Sequence, residues 1–222
     1  PDSVNGWFAF ITVPPVPPFP EELHLKKMAA IVWSYAGDPD GAEEAFKPAL
    51  AVGKPALHGA MMAPVAAMNS AFDALYPPGT QQYWRADFTD SIPDEAVEIN
   101  VEHGSKMPTP QCTSHMYSVD GAAGRVGRDD TAWAYRDAKW AQVFFAVDPD
   151  PANAGALKDW CVQYYEALHP YSMGGAYVNF MMEEGQERVQ ATYRDHYGRL
   201  ARVKAHYDPG NLFHVNQNIR PA

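Results

Sequence analysis

Apolar and polar residues alternate along several short stretches of this chain, and each alternation predicts a strand with one buried face. Gly6 to Val13 is the first, with Trp7, Ala9, Ile11 and Val13 on one side. Lys27 to Tyr35 is the second, with Ile31, Trp33 and Tyr35 together. Between them VPPVPPFPEE (13–22) excludes a central strand, because each proline removes a ladder donor. GDPDG (37–41) turns into a helix over about 41–51; residues 55–64 fit no period and lead to a short helix ending near Leu75. YPPGT (76–80) is a turn and QQYWRADF (81–88) a strand. Ser91 and Asp94, with Pro93 between them, have the spacing of a capping box for a helix reaching about His103. Cys112 to Val119 alternates again, with Thr113, His115 and Tyr117 on one face. DGAAGR then turns, and Val126 to Tyr135 is read as the returning strand. Lys139 to Val147 is strongly β, Ala141, Val143, Phe145 and Val147 opposing Trp140, Gln142 and Phe144. The period changes at Gly155 to Leu168, where Leu157, Trp160, Cys161, Tyr164 and Leu168 form one helical stripe. Tyr177 to Met181 reads as a short strand. Helices over roughly 184–193 and 195–207 follow, the second stopped by Asp208-Pro209-Gly210.

Sequential strands joined by turns and helices predict an α+β fold: a largely antiparallel sheet with helices packed on one face and an open face lining a cavity. Composition narrows the function. The 222 residues are 46% hydrophobic and 20% charged, with a formal net charge of −10 and a pI near 5.1. Such a balance argues against nucleic acid and against anionic membrane surfaces, both of which need basic faces. Twenty prolines exclude coiled coils and helical repeats. No stretch reaches the 18 apolar residues of a membrane helix, and the opening PDSVNGWFAF has no signal-peptide pattern, so the expectation is a cytoplasmic protein. That opening also reads as the middle of a β element, which suggests a natural beginning elsewhere. Cys112 and Cys161 lie far apart outside any CxxC, giving free thiols and no metal site.

Three short stretches offer polar groups on aromatic surfaces: His115–Tyr117, Tyr135–Arg136 and Tyr177–Asn179. Residues two apart in a strand share a face, so His115 projects with Tyr117 and Tyr177 with Asn179. Each also reads as a core imidazole or hydroxyl satisfied by backbone. GxSxG, P-loop, HExxH and GxGxxG motifs are all missing. Gly174-Gly175, the one adjacent glycine pair, reads as a turn needing positive φ, and Glu183-Glu184 as charges favouring a helix N-terminus.

The last fifty residues carry more. YVNFMMEEGQERVQATYRDHYGRLARVKAHYDPGNLFHVNQNIRPA (177–222) contains Tyr177, Asn179 and Phe180 in a Y-x-N-[FY] pattern. Tyr197, Arg199, Leu200, Val203, Lys204, Tyr207, Asp208, Pro209, Asn211, Phe213, Gln217 and Ile219 follow in order. This segment resembles the C-terminal part of the berberine-bridge-enzyme-like FAD-linked oxidoreductases. TAWAYRDAKW (131–140), YAGDPDGAEEAFKPALAVGKP (35–55) and YPPGTQQYW (76–84) are similar to bacterial members. The resemblance implies a substrate-binding domain over 1–176 and a terminal segment over 177–222 that returns to an FAD-binding half not represented here. It also implies oxidation of a small alcohol, sugar or secondary metabolite by hydride transfer to FAD, with the sheet as a roof over the flavin. On that resemblance Tyr177 is the base or substrate anchor, with Arg136 stabilising its phenolate and Tyr135 standing where the family has His. His115, Tyr117, Trp140 and Gln142 would line the substrate pocket, and Tyr177, Asn179 and Gln217 would contact the cofactor. The implied partners are a small-molecule substrate, the FAD-binding half in cis or in trans, and, through the exposed sheet face, a second copy. The isolated chain is then expected to be inactive. The rival reading is a non-catalytic ligand-binding or protein-interaction domain.

Overall fold

The computed structural model describes residues 2–222, and five antiparallel strands form its frame. They are β1 (Val4–Thr12), β2 (Lys27–Tyr35), β3 (Gln81–Thr89), β4 (Thr113–Ser118) and β5 (Trp140–Asp148), in the spatial order β2-β1-β4-β5-β3. The α+β architecture expected from the alternation is the one observed. Between β2 and β3 lie helices α1 (Ala42–Leu50) and α2 (Val65–Ser70); α3 (Asp94–Ser105) follows β3. A single helical turn, α4 (Gly121–Gly124), stands where DGAAGR was read as a turn, and α5 (Ala154–Leu168) follows β5. The chain ends on α6 (Gln186–Tyr193) and α7 (Tyr197–Tyr207).

Helices α3 and α5 cover one sheet face. Their core gathers Leu157, Trp160, Cys161, Tyr164 and Leu168 from α5 against Phe144 and Ala146 of β5, with Phe10 of β1 at its edge. Within it Gln142 donates to Asn100 Oδ1 at 2.5 Å and Tyr164 donates to the same oxygen at 2.7 Å, so a buried polar trio is satisfied internally. The opposite face is covered in part by the terminal segment, where Ala176, Met181 and Val189 meet Ala86 and Val143.

That segment also wraps the edge strand β3. Met173 N–H donates to the Phe88 carbonyl, and Phe88 N–H to the Gly175 carbonyl. Gly174 has φ of +89°, as the turn reading required, and Gly175 is pressed on the Tyr135 phenol, where a Cβ would come within 2.2 Å of its oxygen. Arg188 of α6 reaches round the edge. It donates to Asp87 Oδ1 at 2.5 Å and to the carbonyls of Ala86 (2.7 Å) and Gly174 (3.0 Å). His169 Nδ1 pairs with the other Asp87 oxygen at 2.8 Å. Glu184 sits nearby between Arg85 and Arg188. Burial raises its carboxyl above the usual range, against the pull of the two guanidiniums.

Three expectations are corrected. Residues 126–135 form no strand; Gly127 N–H bonds Asp130 Oδ2 and Arg136 bonds the Ala123 carbonyl, so local side-chain bonds displace a ladder. Tyr177–Met181 is not a strand either: Val178–Phe180 is a 3-10 turn, closed by Phe180 N–H on the Tyr177 carbonyl, which swings Phe180 onto the sheet. The capping box at Ser91 is not made. Pro93 is the N-cap residue of α3, with no side-chain cap, and Ser91 Oγ donates to Asp90 instead.

Candidate active site

The face left open by α3 and α5 is a continuous aromatic surface. On β4 and β1, Tyr117 stands opposite Trp7, and His115 opposite Ala9. The Trp7 ring lies 5.6 Å from Tyr117 and 6.3 Å from His115. Phe145 of β5 lies 5.2 Å from His115, and Tyr76 lies 5.1 Å from Phe145. Phe180 bridges to the terminal segment, 5.5 Å from Tyr117 and 5.1 Å from Tyr177.

Two polar pairs punctuate this surface. His115 Nδ1 and the Tyr117 hydroxyl are hydrogen-bonded at 2.8 Å. Burial lowers the His115 pKa from 6.5 to about 4, so the imidazole is neutral at pH 7. Burial likewise raises the Tyr117 phenol above its usual value, with Tyr76 adding to the effect. The second pair is Tyr177 and Asn179, where Asn179 Nδ2 donates to the Tyr177 oxygen at 2.9 Å. Tyr177 is 40% exposed, so this pair faces outward.

The structure therefore gathers His115, Tyr117, Tyr177 and Asn179 along one surface, linked through Phe180. It does not bring the other candidates there. Gln142 is buried on the opposite face in its bond to Asn100, and Trp140 shares that side of β5. The reason is register: Met116, not His115, stands opposite Gln142. Tyr135 is 2% exposed, stacked on Phe88 at 4.8 Å, with its hydroxyl given to the Ala191 carbonyl at 2.9 Å. Arg136 lies over Trp133 and donates to Ala123 and Thr131, so it is not the partner of Tyr177; Asn179 is. Gln217 donates to the Met181 carbonyl at 2.5 Å and so ties the tail to the segment. Sequence reasoning had not given Trp7, Phe145 or Tyr76 a place in the site. The alternation signal put Trp7 and Phe145 each on a single side of its strand, but not the two on a common face. Among the described residues no cluster of His, Cys, Asp and Glu could hold a metal, and no helix is long and apolar enough to cross a membrane.

An antiparallel sheet with helices on one side and an aromatic, polar-tipped face on the other defines an α+β architecture. Residues 176–220 match the family model described as "Berberine and berberine like". Over 188 residues, 82% of this chain and 41% of the relative, the sequence is 27% identical to an FAD-linked oxidoreductase of Dictyostelium discoideum. Over 114 residues it is 34% identical to the uncharacterized FAD-linked oxidoreductase YgaK of Bacillus subtilis, covering 51% of this chain and 25% of that one. The fold is shared with BBE-like #28 from Arabidopsis thaliana, with a TM-score of 0.78 at 16% identity, over all of this chain and 51% of that one. The berberine-like match is confined to residues 176–220, and the chain spans about two fifths to one half of the relatives that it matches over most of its length.

Proposed function

We propose that the chain is the substrate-binding part of an FAD-dependent oxidoreductase that oxidises a small organic alcohol, sugar or secondary metabolite. The observation carrying this reading is the aromatic face with its two polar pairs, set beside the berberine-like segment. The exposed Tyr177–Asn179 pair fits the edge of a flat polar ring, so the flavin ring of FAD would meet this chain there. The flavin supplies the hydride acceptor when bound. The chain's own residues do the rest. The phenolate form of Tyr177 would take the proton of the substrate hydroxyl and become the neutral phenol, and the Asn179 amide, donating to that oxygen, would stabilise the phenolate before the transfer. Tyr117 and His115 orient the substrate, and the aromatic rings exclude water.

Exposed apolar side chains support a companion FAD-binding half, in cis or in trans. Met61, Met62 and Val65 are 82–88% exposed, and Leu212, Phe213 and Val215 are 74–78% exposed. Such surface is usually covered by a partner. With that half missing, the isolated chain would not turn over. Its acidic balance argues against nucleic acid and anionic membranes as partners, and the proposed location is the cytoplasm. The test joins the chain to the FAD-binding half of a relative and follows flavin absorbance. Substrate-dependent bleaching is expected, reduced at least about a hundredfold in rate by Tyr177→Phe, within the usual range for losing an acid–base group. Flavin binding without bleaching by any alcohol or sugar would favour the non-catalytic reading, and an unchanged rate in the variant would remove Tyr177 as the base.

A further inference from the structure

The two edges of the sheet are finished differently. On β3 the Phe88 carbonyl and N–H are taken by Met173 and Gly175, and the Thr89 carbonyl by Lys139. β2 carries no such cover: among the described residues its backbone groups bond to β1 alone. That ladder runs unbroken from Val4 opposite Tyr35 to Thr12 opposite Lys27, so no bulge twists the edge away. No proline interrupts Lys27–Tyr35. Its one charged side chain, Lys27, is turned inward, donating to the Ser105 and Met107 carbonyls at 2.9 Å beside the end of α3. The usual guards of an edge strand, a bulge, a proline or an outward charge, are thus missing from β2.

Register fixes which of its groups stand free. Val13 N–H donates to the Lys26 carbonyl and Ala36 N–H to the Ser3 carbonyl, so positions 26 and 36 bond toward β1. Alternation then turns the N–H and carbonyl of Lys27, Ala29, Ile31, Trp33 and Tyr35 outward. The side chains of Ile31 and Trp33, on the same side of the sheet as Phe10, are 44% and 42% exposed. Ile31 is the middle residue of the strand. An antiparallel copy centred on it would therefore pair every outward residue with another: Ile31 with Ile31, Ala29 with Trp33, and Lys27 with Tyr35. The flanks match as well. Lys26 and Lys27 precede the apolar run and Asp38 and Asp40 follow it, so a two-fold axis sets the basic end of each copy beside the acidic end of the other.

We propose that the free edge of β2 is a docking surface for a second copy of this chain, the two β2 strands pairing antiparallel about a two-fold axis at Ile31 to make one continuous sheet. The inference uses neither the aromatic face nor the flavin, so it goes beyond the oxidoreductase reading and stands without it. The test is sedimentation of the 222-residue chain and of its Ile31→Lys and Ile31→Glu variants, alone and mixed, with circular dichroism to check that each is folded. The unsubstituted chain should be a dimer. Like charges facing each other across the axis should weaken each variant's self-association at least about tenfold, and an equal mixture should recover most of it as a heterodimer. Recovery reports the axis itself, because a residue far from it would meet different neighbours in the other copy. Amide exchange reads the same contact without a substitution: the Ile31 and Trp33 N–H groups should slow as the chain concentration rises. A monomer throughout the micromolar range, variants that associate like the unsubstituted chain, a mixture no stronger than its parts, or edge amides indifferent to concentration would overturn the proposal. So would loss of the dimer on joining the chain to an FAD-binding half, which would give the β2 edge to that half.

Discussion

Replacing Arg188 by methionine should destabilise the protein by about 3–5 kcal/mol, the cost of stripping one partner from a buried ion pair. The guanidinium side chain is 11% exposed and that of Asp87 10%. Arg188 satisfies one Asp87 oxygen and two backbone carbonyls, on Ala86 and Gly174. Methionine keeps most of the aliphatic volume but leaves that carboxylate oxygen and both carbonyls without their donor. His169 remains on the second Asp87 oxygen, which limits the loss without cancelling it. Exposure sets the scale, because the comparably close pair Lys106–Glu102, 64% and 58% exposed, should be worth about 0–1 kcal/mol. Adding Asp87→Asn to Arg188→Met removes the stranded charge, so the double variant should be more stable than the sum of the single losses by at least about 1 kcal/mol. Urea unfolding of the four proteins measures this, and amide exchange over 176–193 locates it. A loss under about 1 kcal/mol for Arg188→Met, or single effects that add in full, would refute the idea that this buried charge pins the terminal segment to the sheet edge.

Gly175→Ala should cost roughly 1–3 kcal/mol, since the new Cβ would overlap the Tyr135 phenol ring, itself stacked on Phe88; a neutral melting temperature would mean that this contact relaxes freely. Tyr164→Phe should cost about 1–3 kcal/mol in urea unfolding, because it leaves Asn100 Oδ1 one donor short in the core. The depressed His115 pKa makes stability depend on pH. The imidazole is neutral when folded and takes up a proton below about 6.5 when unfolded, so its contribution is complete above pH 6.5 and falls away toward pH 4, by roughly 3 kcal/mol in all. His115→Gln should flatten that acid limb of the stability profile, and an unchanged slope between pH 6.5 and 4 would assign the acid sensitivity to other groups.

What could be read from the sequence follows from how local the cause is. The stripe of Leu157, Trp160, Cys161, Tyr164 and Leu168 is the buried face of α5, because a helix's period depends only on itself. The same holds for β2, whose bounds coincide with the alternation over Lys27–Tyr35. At 126–135 local side-chain bonds, Gly127 N–H to Asp130 and Arg136 to the Ala123 carbonyl, override the alternation, whereas 177–181 also answers to partners distant in the chain. Phe180 turns inward to meet Tyr117 and Phe145, strands away in sequence.

The site divides along the same line. Alternation correctly puts His115 with Tyr117 on β4, and Ala141, Val143 and Phe145 together on β5, but it leaves open which β5 set faces the same way as His115. Register between strands decides it, and register here pairs His115 with Val143. A slip of one residue would have turned Gln142 and Trp140 into the site and buried Phe145 under α5. The choice is fixed by burial, since Phe144 and Ala146 fill the α5 core while Val143 and Phe145 meet the terminal segment. It follows that the set of side chains sharing the aromatic face is a property of five strands in register, not of any one of them. Asp87 shows the point: in sequence it sits between Ala86 and Phe88 of the aromatic face, yet it points to the far side, where Arg188, 101 residues away, meets it.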